Sequence, residues 1–339
     1  MTSGYGPRAR AEIWDSGLAT IRGYLREEGM LEVTTPWCTE EVAIEPYIEP
    51  VRAGDLCLIT SPELWMKRLL CGGVGSSFQI AHVLRHGERG RLHTPEFHLA
   101  EWYRVLGTLA DLQRDVERVV DAVASRVGAV VAEEPRRIER WERWDFFDLF
   151  EESTGMALFP DASSAQLRAL TNGLGEQLSA GAISGEGPAA PAVAALWDWS
   201  ALLSVWSDAA LQPWLDKRRG VGVHVEDFPA DLAALAVVRD GRARRSESYA
   251  FGVEIANGYE ELGCHVEQKS RFERVNALRI HEGLAALPVP RRFLAALAAG
   301  EGLPDCAGIA LGVDRLLMLA AGVESLADVQ LTGSCLADT

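Results

Sequence analysis

A chain of 339 residues with 48% hydrophobic and 24% charged side chains carries enough apolar material to bury a large core, as one big domain or two modest ones. Its formal net charge of −16 argues against a surface that grips a long stretch of nucleic-acid backbone, which depends on many lysine or arginine contacts to phosphate. The opening MTSGYGPRAR lacks the apolar core of a signal peptide, no later stretch stays apolar for the roughly 18 residues of a membrane span, and the six cysteines form no C-x-x-C pair, so a cytoplasmic protein with reduced thiols is expected.

Residues 8–28 repeat apolar side chains at helical spacing (Ile13, Leu18, Ile21, Leu25) and stop at Gly29, which predicts an amphipathic opening helix. MLEVTTP reads as a short strand ended by Pro36, and PELWMKRLL as a helix closed by Gly72 and Gly73. SSFQIAHVLR and PEFHLAEWYRV are two strands joined by the arginine-rich loop HGERGRLHT. A helix over about 109–127 precedes the charged, aromatic stretch IERWERWDFFDLFEE. Residues 163–216, rich in Ala, Leu and Trp, read as a helical insertion with no sign of chemistry. Strands follow at GVGVHVE and SYAFGVEIANGYEEL, then a helix near 264–284 and a strand-to-helix step at AGIALGVDRLLMLA. This order predicts an α+β fold, an antiparallel or mixed sheet flanked by helices, without the regular βαβ alternation of a dinucleotide-binding fold.

Three groups of residues carry candidate chemistry. The loop after the first long strand gathers Arg85, Glu88, Arg89, Arg91 and His93, donors suited to phosphate oxygens, with Arg242, Arg244 and Arg245 as a further basic group. Near the end, Gly308, Ala310 and Gly312 let a ligand lie against the backbone where strand meets helix, and Arg315 falls in the first helical turn. The third group is acidic. Glu247 and Glu254 stand an odd number of residues apart, so an unbroken strand sends them to opposite faces and a bulge is needed to bring both to one metal. Glu254, Asn257 and Glu261 pose the same difficulty, with Gly258 as a possible bend. The bland alternatives are a solvated arginine face, glycines that serve packing, and glutamates that face water.

Taken together and in this order, the groups resemble one family. LEVTTP resembles motif 1 of the class II aminoacyl-tRNA synthetases, the loop within FQIAHVLRHGERGRLHTPEFHLAEWYR resembles motif 2, and GIALGVDR resembles motif 3. SPELWMKRLL and GVEIANGYEEL are similar to the lysyl branch, and the resemblance runs from about Ile13 to Leu326, weakest between 130 and 220. Within that branch the chain looks most like the truncated lysyl-tRNA synthetase paralogues that modify elongation factor P, the (R)-β-lysine ligases. Motif 1 begins almost at the amino terminus, which leaves no room for a preceding anticodon-binding domain, and Ala310 stands where the synthetases carry glycine and the paralogues alanine. A single catalytic domain over 1–339 is therefore expected.

The resemblance implies a role for each matching residue. Arg85 holds the α-phosphate of ATP and His93 and Arg315 the γ-phosphate, Phe97 stacks on adenine, and Gly312 lines the ATP site. Arg85 and Arg315 are the catalytic pair, and Glu247 and Glu254 bind magnesium, with Glu247 also touching ATP. Glu63 meets the backbone-type amine of the amino acid; Ser61, Glu101, Tyr103, Asn257 and Ala310 complete the pocket, and Glu261 pairs the distal ammonium. One departure is plain: the usual R-x-E of motif 2 is here Arg85-His86-Gly87, with the acid displaced to Glu88. The implied partners are lysine or β-lysine, elongation factor P as acceptor, and a second copy of the chain in a homodimer. The rival expectations are the same adenylation with another acceptor (a tRNA, a carrier protein or a small molecule), or a catalytically silent regulatory paralogue.

Overall fold

The computed structural model describes residues 5–131, 134, 136–177 and 188–331. Residues 178–187 of the expected insertion, and Cys335, lie outside them. Among the described residues, a ten-stranded mixed sheet organises the chain. Its main strands are β1 (Leu31–Glu32), β2 (Ser77–His86), β3 (Glu96–Val105), β4 (Arg140–Asp145), β5 (Val221–Pro229), β6 (Arg242–Ala250), β7 (Val253–Glu260) and β8 (Cys306–Gly312). They run in the order β1-β2-β3-β8-β7-β6-β5-β4, antiparallel except for the outer pairs β1–β2 and β4–β5. A small second sheet is built from Cys38–Thr39, Arg52–Ala53 and Leu56–Leu58, none of which the sequence pattern announces.

The helices are α1 (Pro7–Glu27), α2 (Glu63–Cys71), α3 (Leu109–Val131), α4 (Phe146–Thr154), α5 (Ser164–Gln177), α6 (Pro191–Trp206), α7 (Gln212–Asp216), α8 (His265–His281), α9 (Arg291–Ala298) and α10 (Val313–Ala320). In α3, Leu112, Val116, Val119, Val120, Val123 and Val127 fall at helical spacing and are buried. With α1 and α10 they close one face of the sheet, packing on Trp102, Ile309 and Leu311. The stretch expected only as charged and aromatic becomes β4 and α4. Asp145 caps α4 by accepting from the backbone N–H groups of Phe147 and Asp148, and Gly155, at φ +72°, ends it.

Two expectations change. The strand foreseen over MLEVTTP shortens to Leu31–Glu32, because its run towards Pro36 enters a residue with no N–H to offer a ladder. SYAFGVEIANGYEEL is two strands: Phe251 (φ +54°) and Gly252 (φ +81°) make a two-residue hairpin turn between β6 and β7. The register then slips once, Ser248 facing Ala256 while Tyr249 faces Glu254, so Ile255 is the extra residue of a β-bulge.

Candidate active site

Side-chain alternation on five adjacent strands builds the site. On β3, Phe97, Leu99, Glu101 and Tyr103 share the sheet face away from α3, and the register continues it through Arg85 of β2, Gly308, Ala310 and Gly312 of β8, Asn257 and Tyr259 of β7, and Arg245, Glu247 and Tyr249 of β6. All of them line one cavity of about 1220 Å³. The Ile255 bulge brings Glu254 onto this same face despite its odd spacing from Glu247, as a shared site requires.

One end of the cavity is cationic. The Arg85 Nη1 lies 3.5 Å from Glu88 Oε1, and its guanidinium covers the Phe97 ring at 5.0 Å. The displaced acid, Glu88, thus stands beside Arg85. Arg315, in the first turn of α10, donates to the carbonyls of Leu92 (3.2 Å) and Glu254 (2.9 Å) and lies 2.8 Å from His93 Nε2. Burial and the Arg315 charge both push His93 below its usual range, so a neutral imidazole accepts from the guanidinium there. Of the second basic group only Arg245 enters the site, bonded to Glu247 at 2.5 Å and to Asn257 at 3.3 Å; Arg242 pairs with Asp145, and Arg244 with Asp227 and Glu260.

Glu247 and Glu254 face the cavity beside these arginines. Both oxygens of Glu247 are already held, one by Arg245 and the other by the Tyr249 hydroxyl at 2.6 Å. Enclosing walls and then the Glu247 charge raise Glu254 to about 7, although 41% of its side chain opens onto the cavity. Two mutually repelling carboxylates suit a hard divalent cation, and among the described residues no group of three or more His, Cys, Asp or Glu is arranged to hold a metal ion by itself. The remaining ligands of such an ion would be phosphate oxygens and water, as magnesium prefers.

The other end is acidic and buried. The Ser61 Oγ donates to Glu101 Oε2 at 2.8 Å and accepts from the Glu63 backbone N–H at 3.0 Å, fixing the start of α2. The Tyr103 hydroxyl donates to Glu101 Oε1 at 2.6 Å. Lys67, four residues beyond Glu63 on α2, bridges Glu63 at 2.6 Å and Glu261 at 2.5 Å, and its side chain is wholly buried. Burial, reinforced by neighbouring carboxylates, raises Glu101 to about 7 and Glu261 to about 8. Burial opposes the charge of Lys67, but Glu261 and Glu63 outweigh it and hold the ammonium protonated. One ammonium thus faces three carboxylates. Lys67 meets Glu261 through Oε2, and the carboxylate keeps acceptor capacity for a further donor from a ligand.

Every residue to which the resemblance gives a role lines this cavity: Ser61, Glu63, Arg85, Glu88, His93, Phe97, Glu101, Tyr103, Glu247, Glu254, Asn257, Glu261, Ala310, Gly312 and Arg315; Arg91 of the same basic loop instead donates to the Glu324 carbonyl at 2.8 Å. Sequence reasoning missed Lys67, gave Arg245 no specific place and passed over Glu45, a cavity-lining carboxyl that burial raises above its ordinary range. The i, i+4 spacing of Glu63 and Lys67 on a helix was the available signal for the first. The helical insertion is also less remote than expected, since Trp197, Ser200 and Ser204 of α6 line the cavity's far wall. Gly308 departs from its expected role as room for a ligand: a methyl there would lie 2.3 Å from the Tyr103 ring and 2.6 Å from Glu261 Oε1, so its smallness serves those two side chains.

The family profile described as tRNA synthetases class II (D, K and N) matches residues 8–333. Proteins named elongation factor P--(R)-beta-lysine ligase from Salmonella paratyphi B, Salmonella heidelberg and Salmonella typhimurium are each 36% identical to the chain over 325 residues, covering 92% of it and 91% of each relative. With a mixed sheet whose central antiparallel strands carry arginines at one end of its cavity and buried carboxylates at the other, the chain belongs to the class II tRNA synthetase family.

Proposed function

We propose that this chain activates lysine or (R)-β-lysine with ATP and transfers the aminoacyl group to a lysine side chain of elongation factor P. The observation that carries the reading is a single cavity that holds Arg85 and Arg315 at one end and Glu63, Glu101 and Glu261 at the other. The first set suits a triphosphate, the second an amino acid with two amines, because an apolar analogue leaves buried carboxylates unpaired. The names of the relatives support the acceptor.

In the first step a carboxylate oxygen of the amino acid attacks the α-phosphorus of ATP in line, the bond to the bridging oxygen breaks, and pyrophosphate leaves with its electron pair. Arg85 orients the α-phosphate, His93 and Arg315 hold the γ-phosphate, and Phe97 carries the adenine. Positioning and charge neutralisation supply most of the acceleration. Magnesium held by Glu247 and Glu254 would offset negative charge on the phosphates as they separate. In the second step the deprotonated acceptor amine attacks the activated carbonyl, and AMP leaves.

The working assembly is a twofold homodimer in the cytoplasm, with motif 1 at its interface. Exposed Leu31 (56%) and Trp37 (61%) on that segment support the interface, and no described helix is long and apolar enough to cross a membrane.

The test is amino-acid-dependent ATP-pyrophosphate exchange, comparing α-lysine, (R)-β-lysine, ornithine and the other standard amino acids, followed by transfer of radiolabel to purified elongation factor P. Exchange driven best by a lysine isomer, with label on the factor, is expected. Exchange without transfer removes the acceptor assignment, and no exchange removes the ligase reading.

A further inference from the structure

The mechanism above uses Glu63, Glu101 and Glu261 and leaves Lys67 without a task, yet Lys67 is the one cation among them. A wholly buried ammonium is costly unless it is paired, and this one is paired twice. Its two partners are the carboxylates placed at opposite ends of the expected amino acid, one for each amine. Glu63 lies on α2, while Glu261 follows β7, so the lysine ties the helix to the end of an interior strand and sets the separation between the two. Glu101, bound by Ser61 and Tyr103, has no direct share of this ammonium.

With two ligand ammonium groups in the pocket to hold all three carboxylates ionised, the one fixed ammonium leaves two negative charges for the ligand to neutralise. We propose that Lys67 is a positioning residue that determines specificity, its ammonium cancelling one of three buried carboxylates so that the pocket complements an amino acid with two ammonium groups. The inference rests on the diamino-acid reading of the pocket. An amino acid with one amine leaves a buried carboxylate unpaired, and the pocket rejects it for that reason. Without Lys67, Glu63 and Glu261 lose their common partner, and the two substrate amines face three uncompensated carboxylates whose separation is no longer set.

Lys67→Met keeps the length of the side chain and removes its charge. The expected result is a KM for the amino acid raised at least about tenfold, with kcat and the KM for ATP within about threefold of the wild type, because the arginine end is untouched. Lys67→Ala keeps the experiment decisive if the methionine variant folds poorly. Propylammonium, which fits the space of the deleted atoms, restores amino-acid binding there, and propanol of the same shape does not. Calorimetric titration with (R)-β-lysine and α-lysine runs alongside the exchange assay, so that wild-type binding without exchange removes the ligase reading and leaves the charge argument standing. An amino-acid affinity within threefold of the wild type in Lys67→Met overturns the proposal, as does a loss confined to kcat or equal rescue by propylammonium and propanol.

Discussion

Replacing Gly308 with alanine adds one methyl group at the centre of the cavity face. Gly308 lies opposite Tyr103 on β3 and Tyr259 on β7, so its backbone is pinned from both sides and cannot retreat. The new carbon would sit 2.3 and 2.4 Å from two atoms of the Tyr103 ring and 2.6 Å from Glu261 Oε1, well inside contact distance. Tyr103 is 2% exposed, leaving its ring no open space to move into. Overpacking of this kind costs about 1–3 kcal/mol, and loss of the Tyr103 hydrogen bond to Glu101 costs about 1.5–3 kcal/mol more. The sum is about 2.5–6 kcal/mol. With an unfolding entropy of about 2.1 cal/mol/K per residue over the 339 residues, that lowers Tm by about 4–8 °C. Differential scanning calorimetry reads the shift, and exchange kinetics should show an amino-acid KM raised at least about tenfold with the KM for ATP unchanged. A Tm within 1 °C of the wild type together with an unchanged amino-acid KM refutes the packing argument.

Arg315→Ala leaves the core intact and removes the group that bridges His93, Leu92 and Glu254; exchange should fall by roughly 10²–10³ or more with Tm little changed, and a variant with normal exchange refutes the role. Ala310 stands in register with both Glu101 and Asn257, so Ala310→Gly should raise the kcat/KM ratio of α-lysine to (R)-β-lysine by about tenfold, and an unchanged ratio removes Ala310 as discriminator. Burial holds Glu101 at about 7 and Glu261 at about 8, above the ordinary 4.5, so between those values the folded chain binds more protons than the unfolded one. Their contribution to stability is complete below about pH 4.5 and lost as pH rises through about 8, so it makes the protein less stable at pH 8.5 than at pH 6. The contribution is read as the difference in this pH dependence between the wild type and Glu101→Gln or Glu261→Gln; identical profiles refute it.

Much of the site was legible because strands alternate. Phe97, Glu101 and Tyr103 are spaced by even steps, and Arg85 continues their face across the neighbouring strand. The placement of Arg315 followed from a strand running straight into a helix through Gly312, which the structure reproduces. The acidic strand was harder, because its parity depends on a hairpin at Phe251-Gly252 and on one bulged residue, Ile255. A bulge was required by the chemistry, yet the local sequence does not mark where it falls. Lys67 was missed for another reason. PELWMKRLL gives it the look of a solvated helix position, and only the sheet carrying Glu261, nearly two hundred residues away, turns that position inward.

The alternation that builds the cavity also makes the strands difficult to assemble wrongly. Shifting β3 by one residue would turn Glu101 and Tyr103 towards Val116 and Val119 of α3, and shifting β6 would send Arg245 and Glu247 towards the same helix layer. Each misalignment would bury charge in hydrocarbon while delivering tryptophan or serine to the cavity. The groups placed for reaction therefore act as alignment marks during folding, and neutralising several at once should yield a protein that pairs its strands less faithfully as well as one that binds less.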